Sequence, residues 1–104
     1  MIDFGLSENT TRILQDYFEK IDCIEMVKIY GSRAIGNYRK GSDIDFAIFG
    51  DVDSSLIGKI TYEIDELPTP YMFDITCYNT IGNEKLKEHI DKYGKVFYSK
   101  NQVH

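Results

Sequence analysis

Residues 31–45 read GSRAIGNYRKGSDID and join two short β-rich segments, MVKIY at 26–30 and DIDFAIF at 43–49. The pattern predicts a strand that stops at Gly31, a short helix over about 32–38 and a second strand that returns beside the first. In a strand, residues two apart point to the same face, so Asp43 and Asp45 present both carboxylates on one side. Two like charges this close repel each other unless a cation lies between them. The stretch therefore predicts both a pair of strands and a cation site.

The rest of the chain continues the alternation of helical and strand patterns. Apolar residues recur at helical spacing in three further segments. The first runs from the capping Ser7 to about Lys20, and the second covers about 55–66 after a cap at Asp53 or Ser54. The third covers 83–93 and stops at Gly94. The sequence PTP at 68–70 ends the second of these, and strand patterns follow at 71–78 and 95–99. This order predicts one domain over residues 1–104 with an α/β or α+β fold, a small mixed sheet with helices packed on it.

The composition is that of an ordinary globular domain. The chain has 104 residues, of which 42% are hydrophobic and 28% charged. No apolar run approaches the ~20 residues of a membrane span, and the N-terminus does not follow the pattern of a signal peptide. Cys23 and Cys77 stand in no metal-binding or redox spacing, which predicts reduced thiols in a cytoplasmic protein.

The charge balance argues against an extended nucleic-acid interface. The formal net charge is −5 and the pI about 4.9, whereas proteins that hold DNA or RNA along a track usually show a basic face. One local cluster is basic, formed by Arg33, Arg39 and Lys40 within the quoted stretch. Such a cluster could meet the phosphates of a small ligand.

Two parts of the quoted stretch together predict a metal-dependent nucleoside triphosphate site. Mg²⁺ accepts one or two carboxylates and completes its shell with water and phosphate oxygens, which suits Asp43 and Asp45. Gly31 lets the backbone approach a ligand, and Ser32 begins a helix, where unpaired N–H groups favour phosphate. Asp74, the only acid in the strand pattern at 71–78, is the candidate for a third carboxylate of a two-metal centre.

The spacing Gly-Ser, ten residues, Asp-x-Asp and a later strand aspartate resembles the signature of the DNA polymerase beta-like nucleotidyltransferase superfamily. It is most similar to the minimal, MNT-type branch, whose members pair with HEPN-fold helical proteins. Gly31, Ser32, Asp43, Asp45 and Asp74 match the pattern in turn. Arg33 and Ser42 also resemble the family's usual residues, and together with Arg39 they are expected to bind nucleotide. Ile35 departs from it, since many relatives carry a second basic residue there.

The resemblance implies an activity, cofactors and a partner. It implies transfer of AMP from ATP to a tyrosine hydroxyl of a small all-helical HEPN-type partner, with the chain acting as the antitoxin of a toxin–antitoxin pair. Two Mg²⁺ ions, or Mn²⁺ in their place, would be held by Asp43, Asp45 and Asp74. Two alternatives stay open: an antitoxin that acts by contact alone, and the catalytic subunit of a two-chain enzyme that modifies a small molecule. The base, the acceptor and the oligomeric state are not fixed by the sequence.

Other residues that could carry chemistry have simpler interpretations. A second Asp-x-Asp, Asp51 and Asp53, lies past the strand-ending Gly50 and is expected to form a turn and a helix cap. His89 and His104 are expected to be solvated. Tyr38 is beside the predicted site and could stack on a base.

Overall fold

A computed structural model describes residues 4–39 and 41–100 of the chain. Four strands form one sheet in the order β3-β2-β1-β4, with bounds Ile24–Tyr30 (β1), Ile44–Gly50 (β2), Phe73–Cys77 (β3) and Lys95–Ser99 (β4). Strand β1 pairs antiparallel with both β2 and β4, whereas β2 and β3 are parallel. The predicted mixed sheet with packed helices is therefore confirmed. The parallel pair needs a crossover connection, which the helix between β2 and β3 supplies.

Four helices alternate with the strands, as the sequence predicts. Their bounds are Glu8–Glu19 (α1), Ser32–Ile35 (α2), Ser54–Asp65 (α3) and Glu84–Tyr93 (α4). The Ser7 hydroxyl accepts the N–H of Thr10, and the Asp53 carboxylate accepts the N–H of Leu56, so both predicted caps are present. Asp53 is thus a cap rather than a ligand.

Some boundaries differ from the prediction for identifiable reasons. Helix α2 ends at Ile35 rather than near Tyr38, because Gly36 adopts φ 99° and closes the helix. Strand β3 begins at Phe73, and the chain turns into a short 3-10 helix at Tyr78–Thr80 where the sequence predicts the last residue of the strand.

The two faces of the sheet bury different surfaces. Helices α1 and α3 cover one face, where Phe18, Phe46 and Ile64 belong to the main hydrophobic core. Helix α4 covers part of the other face, where Ile90 packs with Tyr30 and Ala47 in a smaller cluster. Burial of each large apolar side chain, such as Phe18 or Ile64, contributes ~1.5–3 kcal/mol to folding. The second face is only partly covered, and it carries the acidic residues described below.

Two further expectations concern the thiols and the membrane. Cys23 and Cys77 are free cysteines, as predicted. Among the described residues, none of the helices combines the length and the apolar character that crossing a bilayer requires.

Candidate active site

The predicted acids lie on the partly covered face of the sheet. Asp45 is the register partner of Tyr30 on β1 and of Asp74 on β3, and register partners share a face. Asp43 lies two residues before Asp45 and just precedes β2. Asp43 and Asp74 are exposed, while Asp45 is half-buried between the neighbouring strands. None of the three forms a hydrogen bond or ion pair with another residue in the described part of the chain. Within the described residues, three carboxylates without a hydrogen-bonding partner thus lie near one another.

The surroundings of Asp45 raise its pKa. Burial, as the largest cause, and the negative charges of Asp74 and Asp43 together raise its pKa from an ordinary value of 3.8 to about 6. The protein therefore holds Asp45 in an environment that disfavours its ionised form, and a bound cation would relieve that cost.

The Gly-Ser turn lies directly against Asp45. Gly31 adopts φ 76° and ψ −155°, a backbone conformation that side chains disfavour. A Cβ on Gly31 would overlap Oδ2 of Asp45. Both the conformation and the close approach therefore require glycine. The Ser32 hydroxyl makes no hydrogen bond within the described residues, so it is available to a ligand.

Arg33 lies in a different environment from the one expected of a phosphate-binding residue. Its side chain is only 2% exposed. Its Nε and Nη2 groups donate to the carbonyl of Ser42 at 3.1 and 2.9 Å, and Nη1 donates to the carbonyl of Phe4 at 2.8 Å. The rings of Tyr38 and Tyr71 lie on the guanidinium, each 5.0 Å from its carbon. Arg33 thus fixes the carbonyl that precedes Asp43.

The structure describes two of the three residues of the predicted basic cluster. Arg33 is buried, Arg39 is exposed, and Lys40 lies outside the described residues. The Ser42 hydroxyl accepts the backbone N–H of Arg39 at 2.8 Å and closes the loop before β2. The Tyr38 ring, which could stack on a base, has Arg33 against one face. Nucleotide binding by Arg33, Arg39 and Ser42 stays a prediction.

The expectation that His89 is solvated is wrong. The side chain is half-buried, and its Nε2 accepts the backbone N–H of Gly31 at 3.2 Å. The ring meets Tyr30 edge-on at 6.0 Å and lies 5.3 Å from the Tyr93 ring. The helical period contains a signal for this placement, since position 89 lies three residues after the partly buried Leu86 and next to the buried Ile90. The sequence does not reveal the burial of His89, because the adjacent Ile90 already satisfies the helical spacing of apolar residues.

The carboxylates of Asp43 and Asp45 suit a hard divalent cation whose remaining ligands come from a substrate and from water. Among the His, Cys, Asp and Glu side chains of residues 4–39 and 41–100, no group of three is gathered closely enough to hold a metal unaided. Mg²⁺ commonly needs only one or two carboxylates when phosphate oxygens complete its shell. Asp43 and Asp45, beside the Gly-Ser turn, fit that mode of binding better than a cage made of protein alone.

Known proteins resemble this chain in sequence pattern and in fold. The family described as polymerase beta, nucleotidyltransferase matches residues 12–103. No curated protein matches the sequence at a significant level. A chain in the crystal structure of a toxin–antitoxin with AMP-PNP is 21% identical at a TM-score of 0.62, covering 93% of this chain and 77% of that one.

Two other solved structures share the fold. The tri-AMPylated Shewanella oneidensis HEPN toxin in complex with an MNT antitoxin contains a chain with 15% identity and a TM-score of 0.63, covering 88% of this chain and 70% of that one. A candidate nucleotidyltransferase from Sulfolobus solfataricus has 18% identity and a TM-score of 0.57, covering 94% of each chain. The family match spans nearly all of the sequence, and the Gly-Ser turn lies against Asp45, which is in register with Asp74 on the neighbouring strand. The chain therefore belongs to the polymerase beta nucleotidyltransferase family.

Proposed function

We propose that the protein is a metal-dependent nucleotidyltransferase that transfers AMP from ATP to a hydroxyl group of a HEPN-type helical partner and thereby acts as its antitoxin. The observation that carries this proposal is the position of Asp45, which lies against Gly31 and in register with Asp74. One side chain thus joins the phosphate-binding turn to the cluster of acids.

Each part of the site has a separate role in the proposed transfer. The Ser32 hydroxyl and the N–H groups at the start of α2 would bind the triphosphate. Asp43 and Asp45, with Asp74, would hold Mg²⁺, which supplies positive charge against the phosphates when bound. The acceptor oxygen attacks the α-phosphorus, and the bond from that phosphorus to the bridging oxygen breaks. Pyrophosphate leaves, and the hydroxyl proton passes to a carboxylate or to water.

The comparisons support the choice of ATP and of a protein acceptor in this proposal. One structural relative contains AMP-PNP, and another contains an AMPylated HEPN toxin with its antitoxin. The exposure of Asp43 and Asp74 is consistent with an acceptor that approaches from a second molecule. A partner seated over these carboxylates would exclude water from the transferred group, which favours transfer over hydrolysis.

The test is to incubate the protein with Mg²⁺, ATP labelled at the α-phosphate and a small helical protein encoded beside its gene, and then to weigh the intact partner. We expect a gain of one or more adenylyl units that Asp43→Asn abolishes. Asp51→Asn is the matched control, because it alters an aspartate of the second Asp-x-Asp outside the site. Tight binding without any mass gain would contradict the proposal and favour an antitoxin that acts by contact. Label found on a small molecule instead would favour the two-chain enzyme.

A further inference from the structure

Helix α4 contacts the phosphate-binding turn through His89. The imidazole Nε2 lies 3.2 Å from the backbone nitrogen of Gly31 and accepts its hydrogen. No side chain caps the start of α2. The first N–H groups with a backbone partner are those of Ala34 and Ile35, and both donate to the carbonyl of Gly31. The hydrogen bond to His89 therefore links the Gly31 N–H to a side chain 58 positions away in the sequence.

The side chain of His89 is held in place on several sides. Tyr30 and Tyr93 contact the ring, and Ile90, the next residue of the helix, is fully buried against the sheet. The helix itself is held at two points. Asn83 caps its N-terminus, and two turns later the Asp91 carboxylate accepts a hydrogen bond from the Tyr78 hydroxyl at 2.7 Å. An imidazole held this way has little freedom to lose when it forms its hydrogen bond.

The acceptor role defines the chemical form of the ring. Only a lone pair on Nε2 can accept an N–H, so the ring carries its hydrogen on Nδ1 in this arrangement. Asparagine or glutamine could offer a carbonyl oxygen as a similar acceptor, whereas leucine could not.

We infer that His89 is a positioning residue for the triphosphate. Its hydrogen bond holds the Gly31 peptide so that Ser32 and the start of α2 are presented beside Asp45. Gly31 needs such support because glycine has the widest range of backbone conformations, and its φ of 76° is one of many open to it. Without the acceptor, ATP binding must also order the turn. The inference rests on the proposed function, since it assumes that the turn binds phosphate.

The experiment compares His89→Leu, His89→Gln and the control Glu88→Gln, which changes the exposed neighbour on the same helix. The affinity for ATP with Mg²⁺ is measured by calorimetry, and KM and kcat are measured in the transfer assay. We expect His89→Leu to weaken ATP binding and to raise KM by about tenfold, the value of one lost hydrogen bond, with little change in kcat. His89→Gln should recover most of the affinity, and Glu88→Gln should match the unmodified protein.

A second readout needs no nucleotide. Nitrogen-15 NMR of the imidazole should show the hydrogen on Nδ1, and the Gly31 amide resonance should move in His89→Leu more than in Glu88→Gln. A purely structural role would lower the melting temperature of His89→Leu but leave the ATP affinity unchanged, and that result would overturn the inference. ATP binding that depends on His89 in a protein that transfers no nucleotide would instead overturn only the proposed function.

Discussion

Replacing Asp45 by asparagine is expected to stabilise the metal-free protein at neutral pH. Burial and the charges of Asp74 and Asp43 raise the Asp45 pKa from 3.8 to about 6, so ionisation of this group opposes folding. The difference of about 2 between these values corresponds to about 3 kcal/mol, since one pKa unit is worth about 1.4 kcal/mol. Because the side chain is only half-buried, solvent screening reduces the expected gain to about 1–2 kcal/mol.

The pH dependence gives the sign of the effect. Below pH 3.8 Asp45 is protonated in both the folded and the unfolded chain and costs nothing. Between 3.8 and about 6 the folded chain binds more protons than the unfolded chain, so its stability falls as the pH rises through this window. Asp45→Asn removes this loss. Its advantage in free energy of unfolding should therefore be nearly absent near pH 4 and fully developed above pH 7.

Urea unfolding with a metal chelator present, at a series of pH values, measures this difference. Asp51→Asn serves as the matched control, because it removes the same charge from the chain outside the acid cluster. The reasoning would be refuted if Asp45→Asn were less stable than the unmodified protein at pH 7. It would also be refuted if the advantage were the same at pH 4 and pH 7.

The remaining predictions concern the turn, the buried arginine and ligand binding. Gly31→Ala should lower the free energy of unfolding by about 2–4 kcal/mol, because of the positive φ and the overlap of the new Cβ with Asp45. The control Gly82→Ala, where a Cβ would meet nothing, should show no comparable loss. Arg33→Lys should cost about 2–3 kcal/mol in urea unfolding, because an ammonium cannot reach both carbonyls in the same plane; an unchanged midpoint would contradict the role assigned to the guanidinium. Mg²⁺ with ATP should raise the melting temperature of the unmodified protein but not of Asp43→Asn, and an equal rise in both would remove Asp43 from the metal site.

The sequence by itself determined the order of helices and strands and the placement of the central motif. The caps at Ser7 and Asp53 and the helical spacing of apolar residues depend on neighbours within a few positions, so they can be interpreted without the fold. The same holds for Gly31 and Ser32 at the end of one strand and Asp43 and Asp45 at the start of the next. That spacing carries the resemblance to the nucleotidyltransferase family, which the family match over residues 12–103 confirms.

Tertiary structure alone decided which groups meet across the sheet and which neighbours surround them. The register that places Asp74 beside Asp45 depends on a crossover through α3, and no local pattern specifies it. Arg33 has the sequence context of a phosphate-binding residue, yet it is buried because two backbone carbonyls and two tyrosine rings surround it. His89 contacts Gly31 only because α4 packs across the face that carries the acids. Contacts between residues this far apart in the chain depend on packing of the whole domain, so the local sequence around each of them could not reveal them.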